Sequence, residues 1–218
     1  MTVLLVLSLF LVFAFLDWVL SRGRQEVPAG VAAVAPPTSG DFVYGFHTPE
    51  ALRYHPGHGW AMRERKNVVR IGVDDLAARI AGKIDGIELP KPGQWLRQGQ
   101  RAWKLLRNGQ AAEMVSPIEG EVLEVNEDVI KNPALLRKDP YGAGWLMTLH
   151  VPDEEGTARN FIPKDLVARW MESAVEKLYA RQPELAGVVA ADAGEPVEDL
   201  AEALQVTNWR EFTAEFYL

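Results

Sequence analysis

Cysteine is absent from the 218 residues. Disulfides, thiolate nucleophiles and cysteine-ligated metals are therefore excluded, and the composition suits a reducing compartment. Histidine is scarce, at four. His55 and His58 lie close together, but Pro56 breaks any helical face between them and no acidic ligand accompanies them, so no metal site is expected. The chain has no Gly-x-Gly-x-x-Gly, no Walker loop and no Gly-x-Ser-x-Gly. Asp74 and Asp75 are a carboxylate pair, yet they open a short helical pattern, where carboxylates cap the helix and complement its dipole. No catalytic constellation is left, and the chain reads as a non-enzyme with no cofactor. Positive charge is not in excess either: the net charge is -7, which gives nucleic-acid binding no electrostatic support.

The charge is uneven. From Asp153 onward there are 14 acidic and 6 basic side chains, so the first 152 residues are close to neutral. Long apolar runs are missing, with one exception. Residues 2–20 are almost wholly apolar, broken by Ser8 and Asp17. As a helix this stretch would be about 28 Å long, close to the ~30 Å hydrocarbon core of a bilayer. Asp17 and Trp18 fall near its end, at interfacial depth, and are read as interaction candidates. Arg22 and Arg24 follow, and no Lys or Arg precedes the run. The positive-inside bias then places the N-terminus outside and the remainder in the cytoplasm, at a single-pass inner-membrane location. A cleaved signal peptide would want a basic n-region and a shorter apolar core, and neither is present. Residues 22–41 are rich in Pro, Ala and Gly and read as a tether.

From residue 42 to residue 150 the pattern changes to short strands between turn signals. Strands are expected over 68–73, 83–89, 102–106, 111–115, 121–125 and 145–149, with a short helix over 74–81 capped by aspartate. Asn108-Gly109 is the preferred pair for a two-residue type I′ turn, because both central positions want positive φ. Residues 151–218 form an acidic helical extension. One amphipathic helix is expected over 163–180 and a second over 195–205. A last helix begins after Thr207 or Asn208, either of which pairs with Glu211 as a cap. Trp209, Phe212 and Phe216 share a face of that helix. Such a stripe is either core or a surface docked on a partner.

Several blocks in order resemble the glycine cleavage H-protein family. They are His58-Gly59-Trp60, then Gly72 through Gly82, then Ile87-Glu88-Leu89-Pro90 with Gly93. Pro117, Gly120 and Val122 follow, with Glu124-Val125-Asn126. The last are Asn132-Pro133-Ala134-Leu135 and Asp139-Pro140-Tyr141-Gly142 through Gly144-Trp145-Leu146. The resemblance implies a mainly β fold with α, the barrel-sandwich hybrid of lipoyl carrier domains. Here it would be preceded by one transmembrane helix (1–21) and followed by C-terminal helices. The family carries a lipoyl arm on a lysine at a hairpin tip. Counting back from Pro117, that place falls on Gly109, so Asn108, Gly109 and Gln110 form a degenerate attachment tip. Lys104, inside the strand, is not a substitute. The function expected is a non-catalytic, membrane-anchored accessory subunit of a larger membrane complex, photosynthetic or respiratory. The alternatives are a carrier modified at an unexpected site, or a small-ligand sensor using the groove where an H protein parks its arm.

Overall fold

The computed structural model describes residues 42–181 and 197–218. The expected span, the tether and the two candidates Asp17 and Trp18 lie outside the described residues. Among the described residues, no helix is long and apolar enough to cross a membrane.

Among the described residues, three antiparallel sheets make up the β framework. Strands β1 (Phe42–Val43) and β2 (Phe46–His47) form a small hairpin. A six-stranded sheet has the order β3 (Arg53–Tyr54), β4 (Gly59–Arg65), β5 (Val68–Val73), β11 (Met147–His150), β10 (Gly120–Val125) and β7 (Trp95–Leu96). A three-stranded sheet joins β6 (Gly86–Glu88), β8 (Arg101–Arg107) and β9 (Gln110–Val115). The apolar run of β5 is explained by its position, since every residue in it is buried. Arg70 is the exception in chemistry. Its guanidinium pairs with Glu64 and lies 4.7 Å over the Trp145 ring, so the charge is balanced where it is enclosed. Gly72 is required by the same packing. A Cβ there would stand 2.5 Å from the ring of Trp60.

Helix α1 (Asp75–Ala81) starts as expected, with the Asp74 side chain accepting from the Ala77 N–H at 2.8 Å. Six of its seven residues are buried. Short helices α2 (Glu127–Lys131), α3 (Leu135–Lys138) and α4 (Glu154–Ala158) decorate the sheets. The helix expected over 163–180 begins as a 3-10 turn (Lys164–Leu166) and continues as α5 (Val167–Arg181). Then come α6 (Leu200–Ala203) and α7 (Trp209–Tyr217).

Two strands differ from expectation for identifiable reasons. The strand expected over 83–89 is confined to β6, because the backbone before it is bonded elsewhere: the Lys83 N–H donates to Asp199 rather than to a strand. The strand expected over 145–149 starts later, at Met147. The Asn126 side-chain amide donates to the carbonyls of Ala143 and Trp145 and holds that segment as a turn.

The C-terminal extension is not a separate body. Leu200, Leu204, Trp209, Phe212, Phe216 and Tyr217 join the same hydrophobic core as α1 and the sheets. The Tyr217 hydroxyl donates to the Ala77 carbonyl inside that core. The aromatic stripe therefore faces inward. Trp209, Phe212 and Phe216 are 3%, 6% and 4% exposed, so the docking role considered for them is corrected: their apolar surface is already used by the chain itself.

Candidate functional site: a closed hairpin tip

Strands β8 and β9 pair from Arg101–Val115 down to Arg107–Gln110, leaving Asn108 and Gly109 as the two turn residues. Their φ values are 48° and 74°, the double positive of a type I′ turn. Nothing lies within 4 Å of the place a Gly109 Cβ would occupy, so the tip projects into open space. The backbone, not crowding, selects glycine there.

The base of the turn is fastened from three sides. The Asn108 N–H donates to the Asp85 carboxylate. Arg107 Nη1 donates to the Ala81 carbonyl at 2.9 Å and to Asp199 Oδ1 at 2.8 Å. Gln110 Oε1 accepts from the Arg210 N–H at 3.1 Å. Asp199 is the hub: it also caps α6 through the Glu202 N–H and accepts from the Lys83 N–H. Burial pushes its carboxyl up, but the hydrogen bonds from Arg107, Lys83 and Glu202 outweigh burial and hold it below the usual aspartate range. Lys104, the nearest lysine, sits within β8 and pairs with Glu88 at 3.6 Å.

Sequence reasoning identified the tip and missed its fastening. Asp199 followed three residues later by Glu202 was a legible capping signal. Nothing in the sequence pointed Arg107 at Asp199, 92 positions away.

The polar residues elsewhere have structural duties. His58 is buried at φ 58°, with Nδ1 2.7 Å from Asp74 Oδ2 and its ring 4.7 Å from Trp170. His55 Nδ1 accepts from the Gly57 N–H, and burial, followed by the neighbouring His58, holds its pKa down. Asp75 accepts from the His47 N–H and from Arg79 Nε, though burial still keeps its carboxyl above the ordinary value. The carboxylate pair is thus divided between two separate structural tasks. Among the described residues, no group of three or more potential ligands is placed to hold a metal ion.

The class this defines is a small β domain that displays a closed hairpin tip in open space. The family model for the glycine cleavage H-protein matches residues 52–172. A glycine cleavage system H protein from Mycobacterium leprae is 35% identical over 105 residues, covering 48% of this chain and 80% of that protein. One from Streptomyces coelicolor is 32% identical over 106 residues, covering 49% and 85%. The crystal structure of a glycine cleavage system H protein from Mycobacterium marinum matches with a TM-score of 0.44 at 26% identity, over 48% of this chain and 86% of that one. The chain belongs to the glycine cleavage H-protein family.

Proposed function

We propose that this chain is a non-catalytic interaction module, in which an H-protein-like domain without a lipoyl lysine is held at a membrane and serves as an accessory subunit of a larger membrane complex. The observation that carries the reading is the tip itself. Asn108 and Gly109 close a type I′ turn at the place where, counting back from Pro117, the family's lysine would stand. A lipoyl arm needs a primary amine on a free tip, and this turn offers an amide and a hydrogen atom. Membrane attachment rests on the apolar stretch 2–20 with Arg22 and Arg24 behind it.

A second reading is favoured by the relatives, which are named glycine cleavage system H proteins. In it the chain is a carrier modified elsewhere. Lys66, exposed on the β4–β5 turn, is one lysine displayed for that role. One measurement separates the two. The full chain is co-expressed with a lipoate ligase and its intact mass is recorded. Unmodified mass, with co-purification of other membrane-complex chains in mild detergent, is the expected result. A lipoyl increment on any lysine overturns the first reading, and peptide mapping then locates the carrier site.

A further inference from the structure

The flank of the hairpin is filled by the chain's own helices. The terminal strand of the six-stranded sheet is not. On β7, Trp95 is 46% exposed, and Leu123 of the neighbouring β10 is 43% exposed. Trp95 stands opposite Glu121 in the ladder. Leu123 lies at a bulge, where the register of β10 on β11 shifts between Val122 and Glu124, and it is exposed while Val122 before it points into the core. Two large apolar side chains are thus left in water on a sheet edge, where a partner removes them from solvent at a gain.

The surroundings say what kind of partner. A groove of about 440 Å³ runs beside Trp95, with Glu119, Gln98, Pro152 and Asp153 in its walls. Glu119, Glu121 and Glu124 are exposed, and among the described residues none of them is in an ion pair. An indole wall attracts a cation through its ring quadrupole, and unpaired carboxylates beside it add charge complementarity. The groove is large enough for an alkyl-stemmed cationic side chain, whose methylenes would lie on the apolar surface. We infer that the β7–β10 face is a protein-docking surface that takes an arginine or lysine side chain of a partner segment, seated between Trp95 and Glu119–Glu121, with an adjacent apolar residue on Leu123. The inference rests on the reading of the chain as an interaction module and names one of its surfaces.

The test uses the isotope-labelled full chain in detergent micelles and a capped synthetic peptide alternating arginine with leucine. Indole N–H resonances report binding, with Trp95 assigned through Trp95→Phe. The expected result is a saturable movement of the Trp95 resonance, absent with a peptide alternating glutamate with leucine. Trp95→Ala weakens the affinity about fivefold. Glu119→Gln, which preserves shape in the groove wall, weakens it about threefold, while Glu176→Gln on α5, which does not line the groove, leaves it unchanged at the same net charge. A silent Trp95, equal response to both peptides, or equal loss with Glu176→Gln overturns the proposal. Partners that co-purify while Trp95 stays silent remove this surface and leave the interaction-module reading standing. Lipoylation with an intact Trp95 response does the reverse.

Discussion

Two of the domain's tight hairpins carry an asparagine in the left-handed region and are supported differently. At the β4–β5 turn Asn67 takes φ 58°, and its N–H is caught by the Glu154 carboxylate. At the β8–β9 turn Asn108 takes φ 48°, and its N–H is caught by Asp85. In each, an asparagine tolerates the left-handed region and a distant carboxylate takes the amide that the turn leaves over. The difference lies in what backs them. Glu154 also pairs with Arg63 on an exposed surface, inside the stretch that matches the family. The β8–β9 turn is backed by Asp199 and the Arg210 amide, both beyond residue 172, where the family match ends. The β8–β9 tip is thus clamped by residues beyond the family match, while the β4–β5 tip has a clamp within it.

The strongest way to break this contrast is to remove the clamp's foundation. Trp209 begins α7 and is buried against the core it shares with β9. Trp209→Ala is expected to destabilise the domain by about 4 kcal/mol, since a large aromatic leaves both lost burial and a cavity. Chemical denaturation measures this directly. Hydrogen exchange at the Asn108–Gln110 amides should accelerate more than at Lys66–Val68. Equal acceleration at both turns would show that α7 supports the fold in general and not the β8–β9 hairpin in particular.

Asp199→Ala attacks the clamp alone. It leaves the Arg107 guanidinium, 13% exposed at its side chain, without its carboxylate, and leaves the Lys83 and Glu202 amides unanswered. Breaking one side of such an enclosed pair costs about 3 kcal/mol. The pH dependence gives the sign. A carboxyl held below its ordinary value of 3.8 contributes its stabilisation above that pH and loses it as pH falls through the lower, folded-state value. Asp75, raised by burial, works the other way: its ionisation opposes folding as pH rises above 3.8 toward its higher, folded-state value. The stability gap between wild type and Asp199→Asn should therefore be widest near neutrality and narrow below about pH 4. A gap that stays constant to pH 3 would remove Asp199 ionisation from the account.

These two residues also mark how far the sequence could be read. Strand β5, helix α1 with its Asp74 cap, and the Asn108-Gly109 turn were legible because each is decided by neighbours in sequence: an apolar run, a capping side chain, a dipeptide that tolerates positive φ. The inward face of Trp209, Phe212 and Phe216 was visible as periodicity, but not its direction. Whether a stripe packs on its own domain or on a partner depends on tertiary contacts that no local pattern encodes. Likewise the late start of the 83–89 strand follows from Asp199, more than a hundred positions later. The exposed face of Trp95 is not legible in the sequence, because one aromatic in a two-residue strand carries no alternation.

Glu154→Ala tests the other hairpin. It frees the Asn67 amide and removes the Arg63 contact, both near the surface. A loss of about 1.5 kcal/mol is expected, confined to hydrogen exchange around β4–β5. If the β8–β9 amides respond as strongly, the two clamps are coupled and the contrast between them does not hold.

The smallest effect is the most informative for function. Gly109→Lys puts a side chain into open space, so no packing is lost and the cost is that of an L-residue at φ 74°, about 1 kcal/mol. The folded domain should persist, with Asn108 still bonded to Asp85. The variant then offers a lipoate ligase an amine on an intact hairpin at the place counted back from Pro117. A lipoyl increment in the intact mass of Gly109→Lys, mapped to the tip peptide and missing from the wild type, would show that the domain still presents the tip and that the amine alone is missing. A folded variant that the ligase ignores would mean that the clamp through Arg107, Asp199 and Arg210 also blocks access. Combining Gly109→Lys with Asp199→Asn then decides between an absent amine and a closed approach, because loosening the clamp restores modification only in the second case.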